Sequence, residues 1–319
     1  MNSQLVVGID IGGQTTKLGV VDVQGSVLAQ TVIRTDTFET VEPYIAELAV
    51  AINKIIAEAG AEGRVRGIGV GAPNGNYYKG TIECAVNISW GNGRTIEFAK
   101  LLSEAMGGIP VALTNDANAA AVGEMTYGAA RGMKNFIMIT LGTGVGSGIV
   151  INGNVVYGHD GFAGELGHVT AVRNNGRACN CGKTGCLEAY ASAMGVARTA
   201  REWLELSDEP SVLRELDSIA SKDVFDAAKE GDMLALKIFD FTGKILGRSF
   251  ADFIAFSAPE AIVLFGGLAR AKEFLLAPIE DAMNANVLPI WKNKVNIVFS
   301  QLKESDAAIL GASALGWEL

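Results

Sequence analysis

Hydrophobic and polar positions in the first third of the chain follow two periods, one typical of strands and one typical of helices. β-Branched runs predict strands at residues 5–9, 18–21, 27–34, 65–70 and 111–114. Apolar residues at helical spacing predict helices at 41–58, at 95–106 and in the alanine-rich segment that ends at Tyr127. Three strands followed by a helix and another strand are the opening of a mixed α/β domain.

The rest of the chain shows the same mixture with longer helices. Strands are predicted at 136–141, 149–151, 260–265 and 296–299, and helices at 189–206, 223–230, 233–256, from Leu268 onward and at 307–317. A chain of 319 residues is long enough for two domains that each bury a core. We therefore expect an α/β fold of two ribonuclease-H-like lobes with a cleft between them. The predicted small lobe is 1–115 plus 306–319, and the large lobe is 116–305.

A strand, a glycine-rich turn and a second strand occur twice. The first copy contains Asp10-Ile-Gly-Gly-Gln-Thr-Thr-Lys17 and the second contains Gly142-Thr-Gly-Val-Gly-Ser-Gly148. When the copies are superposed, Gly12 falls on Gly142, which is an offset of 130 residues. Either copy alone is also compatible with an ordinary tight hairpin. The repeat favours a nucleotide whose phosphates both turns bind through backbone N–H groups.

The expected nucleotide contacts lie at these two turns and at a glycine pair after the strand 260–265. Hydroxyl groups and a lysine add to the N–H groups, and Asp10 ends its strand where it can orient a hydrated Mg²⁺. Glycines after a strand let a base or ribose approach the backbone. The expected set is Asp10, Gly12, Gly13, Gln14, Thr15, Lys17, Thr140, Gly142, Thr143, Gly144, Gly266 and Gly267.

Composition and charge narrow the class of protein. Hydrophobic residues at 49% with only 7 Pro describe a compact chain, not a disordered one. The formal net charge of −9 disfavours binding to nucleic acid or to an anionic membrane, and no apolar run reaches membrane-spanning length. No secretory signal is evident. Four cysteines, three of them clustered, fit a reducing cytoplasm, with Cys84 expected as a small core residue.

The cysteine cluster has the ligands of a structural zinc site. His168, Cys179, Cys181 and Cys186 lie in one short window with two glycines between the ligands. Three thiolates and one imidazole form a closed tetrahedral Zn²⁺ site, whose binding would stabilise a loop that is poor in apolar residues. The alternatives are a disulfide or scattered core cysteines. A Cys-x-Cys disulfide is geometrically awkward, so we favour zinc.

Two glutamates in the same window suggest that the loop also binds a hydroxyl-rich ligand. His168 can give the metal only one of its two ring nitrogens, and Glu165 and Glu188 lie close to it in sequence. Together they present an imidazole and two carboxylates. Each glutamate taken singly is equally compatible with a solvated surface charge.

Further polar residues lie where predicted strands end. Asn115 and Asp116 stand between a strand and a helix, where a helix N-cap is the simple alternative to a functional role. The loop Gly71-Ala-Pro-Asn-Gly75 follows the strand 65–70, at the kind of position where open α/β sheets bind ligands, and Asn87 begins a polar turn.

Taken together, these motifs resemble the ROK family of sugar kinases within the sugar kinase, heat-shock protein 70 and actin superfamily. The resemblance covers essentially the whole chain and rests on both glycine turns, Asn115-Asp116-Ala-Asn118, Gly164-Glu-Leu-Gly-His168, the cysteine motif to Glu188, and Gly266-Gly267. It implies ATP, Mg²⁺, two lobes that close on the sugar, a homodimer, and an aspartate base at Asp116. The implied sugar contacts are Asn74, Gly75, Asn87, Asn115, Asp116, Glu165, His168 and Glu188.

The resemblance implies a hexose kinase that phosphorylates the 6-hydroxyl group, with glucose as the expected sugar. Gln14 stands where the family usually has threonine, a departure with little effect on function. Ala-Pro-Asn-Gly stands where Pro-Gly is common, and this second departure affects the expected sugar specificity. The alternatives are N-acetylglucosamine, N-acetylmannosamine, mannose or fructose. Sugar-responsive repressors of the family carry an N-terminal helix-turn-helix, which we do not expect here because the first strand begins within a few residues of Met1.

Overall fold

The computed structural model describes residues 4–319. Its first elements are β1 Leu5–Ile11, β2 Thr15–Val21, β3 Val27–Arg34, α1 Val41–Glu58, β4 Val65–Gly71, β5 Gly75–Asn76, β6 Thr81–Glu83, β7 Thr95–Ile96, α2 Phe98–Ala105, β8 Val111–Thr114 and α3 Asp116–Tyr127. The remaining elements are β9 Phe136–Leu141, β10 Val145–Ile151, β11 Asn154–Val155, α4 Glu188–Ala191, α5 Ala193–Leu206, α6 Ser221–Lys229, α7 Met233–Ser257, β12 Ala261–Phe265, α8 Lys272–Asn286, β13 Asn296–Phe299 and α9 Glu304–Gly316.

The chain folds into two compact units. The first unit runs to Met133 and also contains 154–164 and 301–319, while the second contains 134–153 and 165–300. These limits differ from the expected lobes 1–115 plus 306–319 and 116–305. Helix α3 stays with the first unit because Gly123 and Gly311 let it lie directly against α9. The segment 154–164 stays there because Tyr157 stacks on Tyr77, with ring centroids 4.2 Å apart.

The first unit is built on a five-stranded sheet in the order β3-β2-β1-β4-β8. The pairs β1–β2 and β2–β3 are antiparallel, and β1–β4 and β4–β8 are parallel. Both faces are covered, so successive β1 side chains enter different cores: Val7 and Ile9 belong to the core with α1 and α2, and Val6 belongs to the core with α9. A small antiparallel sheet, β5-β6-β7, follows β4.

The second unit repeats the opening of the first. Its strands lie in the order β10-β9-β12-β13, with β9–β10 antiparallel and the other pairs parallel. The long helix α7 packs on α8, where Gly243 and Gly247 of α7 lie directly against the α8 backbone. Strands β1 and β9 end at Ile11 and Leu141, and β2 and β10 begin at Thr15 and Val145, so both limits keep the predicted offset of 130 residues.

Most predicted elements are confirmed, and the differences are local. The helix predicted at 95–106 begins only at Phe98, since Thr95–Ile96 forms a strand. The helix predicted at 189–206 is two helices, because the Ser192 side chain accepts a hydrogen bond from the Gly195 N–H and starts α5 anew. No helix within 4–319 is long and apolar enough to cross a membrane.

Candidate active site

The four expected zinc ligands come together in the second unit. The ligand atoms of His168, Cys179, Cys181 and Cys186 all lie within 4.8 Å of one another. The Sγ atoms of Cys181 and Cys186 are 3.6 Å apart, and the Nδ1 atom of His168 is 3.9 Å from the Sγ atom of Cys179. All four cysteines of the chain are free thiols, so the disulfide alternative is not realised.

These distances fit one tetrahedral ion. Metal–sulfur bonds of about 2.3 Å place two sulfurs about 3.8 Å apart across a tetrahedron, which is close to the observed spacing. Because His168 turns Nδ1 toward the thiols, its Nε2 atom is left for another partner. Burial raises the pKa of the Cys186 thiol, whereas hydrogen bonds outweigh burial at Cys181 and lower its pKa, so Cys186 favours its neutral form until a cation is present to stabilise the thiolate.

The loop reaches this shape through short backbone bridges. Ala178 pairs with Thr184, and Thr170 pairs with Cys186, as isolated antiparallel bridges. Gly185 has a φ of 78° and lies against the backbone of Val172 so closely that a Cβ atom would collide with its carbonyl oxygen. A glycine is therefore required at this position next to Cys186.

Arg177 is an unpredicted part of the same loop. Its side chain is only 9% exposed and forms an ion pair with Glu202 of α5 at 2.5 Å. It also donates hydrogen bonds to Thr199 Oγ1 and to the Ala189 carbonyl, and its guanidinium lies 4.6 Å from the centre of the Tyr190 ring. Arg177 thus anchors the start of the cysteine motif to α5. In the sequence it is indistinguishable from a solvated arginine.

Glu165 and Glu188 lie on opposite sides of the metal ligands in sequence and have different surroundings. Glu165 is exposed and directly precedes the short 3₁₀ turn Leu166–His168. Glu188 begins α4, and its Oε2 atom accepts a hydrogen bond from the Val145 N–H at 2.9 Å. Its Oε1 atom lies 3.7 Å from the Sγ atom of Cys179. Glu188 therefore connects the cysteine motif with the second glycine turn.

The second glycine turn is held by several backbone contacts. The Gly142 N–H donates to the Gly144 carbonyl, and the Thr140 hydroxyl accepts from the Gly146 N–H at 3.0 Å. The Gly142 carbonyl accepts from the Ala193 N–H at the start of α5, and Thr143 at the tip is exposed. A side chain on Gly144 would collide with Glu188. The turn is consequently fixed in shape, with its tip open.

The glycine pair after β12 lies beside this turn. Gly266 has a φ of 105°, and a Cβ atom there would meet the Leu141 carbonyl at 2.6 Å. Gly267 has open space around it. The structure therefore brings together Thr140, Gly142, Thr143 and Gly144 with Gly266 and Gly267 in the second unit.

The first glycine turn lies in the first unit and is one residue longer. Ile11 pairs with Thr16, whereas Leu141 pairs with Val145, so four residues separate the first pair and three separate the second. The Gly12 N–H donates to the Thr15 carbonyl at 3.0 Å, and Gln14 at the tip is exposed.

Asp10 and Lys17 lie opposite each other on this hairpin, in β1 and β2. Burial, followed by the negative charge of Asp116, raises the pKa of Asp10 to about 6, and Lys17 opposes this effect. The first unit thus brings a carboxyl group with a raised pKa, a lysine and a glycine turn together. This is the ligand set that the sequence predicts for Mg²⁺ and phosphate.

Asp116 is at the first residue of α3. Its Oδ1 atom and that of Asn115 both accept from the Ala117 N–H, at 2.8 and 2.9 Å, and Asn115 is the N-cap. Solvent reaches the Asp116 side chain, but the protein packed around it still raises the pKa of its carboxyl group by desolvation. A Cβ atom on Gly71 would lie 3.5 Å from the Asp116 Cα and 3.9 Å from Asp10 Oδ1. The Asp10 carboxyl group and the backbone of Asp116 therefore flank Gly71.

The remaining expected sugar contacts surround the end of β8 in the first unit. Asn74 adopts the left-handed φ of 51°, and its amide donates to the carbonyls of Glu83 and Cys84. Gly75 lies directly against the Thr114 backbone, next to Asn115. The Asn87 side chain is exposed, and its carbonyl lies 2.6 Å from the position of a Gly13 Cβ.

The expectation that Cys84 is a core residue is wrong. Cys84 is exposed and has a φ of 50°. It follows β6 at a tight turn, where its N–H donates to the Arg94 carbonyl at 2.7 Å. The backbone conformation of this turn directs the Cys84 side chain outward. The average tendency of cysteine to be buried does not predict this orientation.

The sheet order, the repeated hairpins and the paired carboxyl groups define a protein of the sugar kinase, heat-shock protein 70 and actin fold class. The chain matches the ROK family model over residues 6–318 and belongs to the ROK family. It is 38% identical to the glucokinase of Halalkalibacterium halodurans, covering 99% of this chain and 95% of that protein.

Two other relatives show the breadth of the family. The ROK family glucokinase from Streptomyces griseus, in a crystal structure with glucose and AMPPNP, is 32% identical and has a TM-score of 0.79, covering 99% of this chain and all of that one. The DNA-binding transcriptional dual regulator NagC of Escherichia coli is 31% identical over 63% of this chain and 48% of its own length.

Proposed function

We propose that this protein is an ATP-dependent hexose kinase that transfers the γ-phosphoryl group to the 6-hydroxyl group of glucose. The observation that carries the proposal is the arrangement in the first unit, where Asp116 and Asp10 flank Gly71 next to an anion-binding glycine turn. A general base, a Mg²⁺-orienting carboxylate and a phosphate-binding turn are the parts that phosphoryl transfer from ATP requires.

Asp116 acts as the proton acceptor. The protein packed around Asp116 raises the pKa of its carboxyl group, so its carboxylate is a stronger base than that of an ordinary aspartate. Because an alcohol is far less acidic than a carboxylic acid, the proton moves late, as the bond from oxygen to phosphorus forms. Before that, Asp116 orients the hydroxyl group for in-line attack, and the Ala117 N–H keeps the carboxylate in place.

The phosphates are bound by both glycine turns. N–H groups at the tips of the turns, at residues 13–14 and 143–144, bind the phosphate oxygens, Lys17 adds a positive charge, and Gly266 and Gly267 let the adenosine lie close to the backbone. Mg²⁺ held through Asp10 would neutralise charge on the transferred phosphate. The raised pKa of Asp10 fits this role, since a cation would stabilise its ionised form.

The sugar hydroxyls are bound by carboxylates, amides and one imidazole. The hydroxyls distant from the reacting oxygen form hydrogen bonds with Glu165, Glu188 and the free Nε2 atom of His168. A hydroxyl near the reacting oxygen forms a hydrogen bond with Asn115. Asn74, whose amide is already bonded, contributes through its backbone and oxygen, together with Gly75 and Asn87. Zn²⁺ in the cysteine site would fix the orientation of His168 and has no role in the chemical step.

A screen of ATP turnover against glucose, mannose, fructose, N-acetylglucosamine and N-acetylmannosamine tests the proposal. We expect glucose to have the highest kcat/KM and the product to be the 6-phosphate, which phosphorus NMR identifies. Preference for another hexose would reassign the substrate within the same reaction, and sugar binding without ATP turnover would indicate a regulator.

The variant Asp116→Asn tests the mechanism. It should lower kcat by at least about a hundredfold, the effect of losing a general base, while glucose binding by calorimetry stays near normal. The matched control is Asp232→Asn, because Asp232 caps α7 and also accepts a backbone N–H. Near-normal turnover by Asp116→Asn would remove this residue from the mechanism.

We further propose that the protein is a homodimer. The second unit has a hollow of about 770 Å³ whose apolar lining includes Leu166, Val169 and Phe253, with Phe256 80% exposed. Arg173 and Asp252 also line it, and neither has an ion pair within residues 4–319. A two-fold contact would pair Arg173 of one copy with Asp252 of the other and cover the apolar surface.

The free thiols of the metal site favour the cytoplasm as the compartment.

A further inference from the structure

The first glycine turn rests on a buried chain of hydroxyl groups. Thr16 is the second residue of β2, and its burial alternates with that of Thr15 and Lys17, so its side chain points into the core while theirs point away from it. The Thr16 hydroxyl shares a hydrogen bond of 2.6 Å with the Tyr44 hydroxyl of α1 and one of 2.9 Å with the Thr35 hydroxyl. All three residues are completely buried.

The same chain also holds the tip of the turn. The Thr35 N–H donates to the Gln14 carbonyl at 2.9 Å, so Thr35 bonds the turn at two places, Gln14 and Thr16. The position of the turn relative to α1 is thus set by one side chain of that helix, Tyr44. In the sequence, Tyr44 is simply one of the apolar positions of an amphipathic helix.

The ring of Tyr44 faces the segment that carries Asn87. It stacks on the buried Trp90 ring at a centroid distance of 4.8 Å, and Phe38 meets it edge-on at 5.6 Å. Phe38 is joined to that segment as well, because its carbonyl accepts a hydrogen bond from the Ser89 hydroxyl at 2.7 Å. Tyr44 therefore touches the turn through its hydroxyl and the Asn87 segment through its ring.

These two regions also meet directly at their tips. Gly13 lies so close to the Asn87 carbonyl that a Cβ atom would be 2.6 Å from it. A displacement of the turn by a few tenths of an ångström would consequently move Asn87 as well, unless the residues packed beneath the two regions shift instead. Those residues are Tyr44 and Trp90.

We propose that Tyr44 is a positioning residue for substrate binding, whose hydroxyl sets the nucleotide-binding turn and whose ring sets the sugar-binding segment around Asn87. The proposal rests on the proposed function for the identity of the two ligands. Tyr44 contacts neither substrate. Its hydroxyl affects the binding of the nucleotide and its ring affects the binding of the sugar. Because the two effects can be separated by mutation, Tyr44 differs from an ordinary core residue.

The conservative substitution Tyr44→Phe separates the two parts. It removes the hydroxyl and keeps the ring, so KM for ATP should rise about threefold to tenfold, the effect of one lost hydrogen bond, while KM for glucose stays within about twofold. Tyr44→Leu removes the ring too and should raise both KM values. Thr16→Val removes this bond and also the bond to Thr35, so it should raise KM for ATP at least as much as Tyr44→Phe, and Thr16→Ser, which keeps the hydroxyl, should restore wild-type values.

The double variant Tyr44→Phe with Thr16→Val is the decisive kinetic test. Because both substitutions remove the same hydrogen bond, the increase in KM for ATP should be no larger than that of the stronger single variant. Tyr127→Phe is the matched control. It also removes a tyrosine hydroxyl bond in the first unit, to Trp317 Nε1, but at the far end of α3, about 16 Å from Asp116 along the helix. It should lower Tm and leave both KM values unchanged.

Calorimetric titration with ADP in the absence of sugar separates the possible failures. If the wild type does not bind ADP, the proposed function is wrong. If the wild type binds ADP and Tyr44→Phe binds it equally well while losing as much Tm as Tyr127→Phe, Tyr44 is only a core residue and this inference is overturned. A folded Thr16→Val variant with unchanged ADP affinity would overturn it as well, even if the Tyr44 variants do not fold.

Discussion

Asp10 and Asp116 show how the position of a residue in the fold creates chemistry that its type alone does not. Asp10 is the penultimate residue of β1 and Asp116 is the first residue of α3, and both flank Gly71, which has no side chain to separate them. The protein packed around them raises the pKa values of both carboxyl groups, and the charge of Asp116 raises that of Asp10 further, although Lys17 opposes this effect. Two like charges are thus held close together, at a cost in stability that a bound cation would offset.

This cost predicts a pH-dependent effect of Asp10→Asn. The folded pKa of Asp10, about 6, lies above its ordinary value of 3.8, so the folded state binds this proton more tightly than the unfolded state. Well below pH 3.8 the carboxyl is protonated in both states and costs nothing. As pH rises through 6 the cost develops fully, on the order of 1–3 kcal/mol.

The variant should therefore have a higher Tm than the wild type at pH 7, and this Tm difference should shrink as the pH falls from 6 toward 3.8, measured in metal-free buffer, while its ATP turnover falls sharply. A Tm difference that does not change with pH would contradict the assignment. Asp22→Asn is a suitable control, because Asp22 is a solvated turn carboxylate on the same pair of strands.

At the scale of elements, the cysteine loop and the second glycine turn are one assembly. The Leu166 N–H donates to the Ser147 hydroxyl of β10 at 3.0 Å, Gly167 lies against the Val145 carbonyl, and Glu188 accepts the Val145 N–H. The turn has its own support in the β9–β10 pairing and in the contact of Gly142 with α5. The conformation of the cysteine loop therefore depends on its contacts with the glycine turn, whereas the turn has further support that does not involve the loop.

The loop variant Cys181→Ala tests this asymmetry. The purified wild type should contain about one zinc per chain, and the variant should lose it. Glucose affinity should then fall at least about tenfold, because His168, Glu165 and Glu188 lose their common support, while ADP affinity changes much less. Calorimetry with both ligands measures the difference.

Cys84→Ala is the control for Cys181→Ala, since Cys84 is an exposed thiol outside the cluster. It should leave zinc content and both affinities unchanged. Absence of zinc from the wild type, or equal loss of both affinities through unfolding, would refute the role of the loop.

Elements and motifs could be predicted where local signals agree. The strands, the long helices, the repeat and the clustering of the four expected metal ligands follow from periodicity and spacing. The roles of Tyr44 and Arg177 could not be predicted, because a buried tyrosine in a helix and an arginine in a loop have many possible partners. The placement of α3 in the first unit depends on Gly123 meeting Gly311, a contact between residues distant in sequence that no local pattern encodes.

At the scale of the whole molecule, the hollow in the second unit is the proposed dimer interface. A charged side chain introduced there should therefore change the oligomeric state. Phe256→Glu should convert the proposed dimer into a monomer, because it would bury an unpaired charge. Leu206→Glu, at a residue that is 84% exposed on α5, is the matched control and should remain dimeric. Light scattering coupled to size-exclusion chromatography gives the mass.

Charge reversal makes the dimer test specific. Arg173→Glu or Asp252→Arg alone should weaken the dimer by placing like charges opposite each other, and the double variant should restore it. A monomeric wild type, or a dimer that none of these variants weakens, would rule out this surface as the interface.

The packing of α9 has a consequence for how the chain folds as it is synthesised. Gly8 in β1 and Gly69 in β4 lie directly against the α9 backbone at Ile309 and Ala312, so β1 is completed by a helix that is synthesised after the whole second unit. The second unit ends at Ser300 and can assemble as soon as that residue has left the ribosome. The first unit must wait, with the α9-facing side of β1 uncovered, until α9 has left the ribosome as well. The N-terminal part of this protein is consequently the last to reach its native state, the reverse of the usual order for domains emerging from the ribosome.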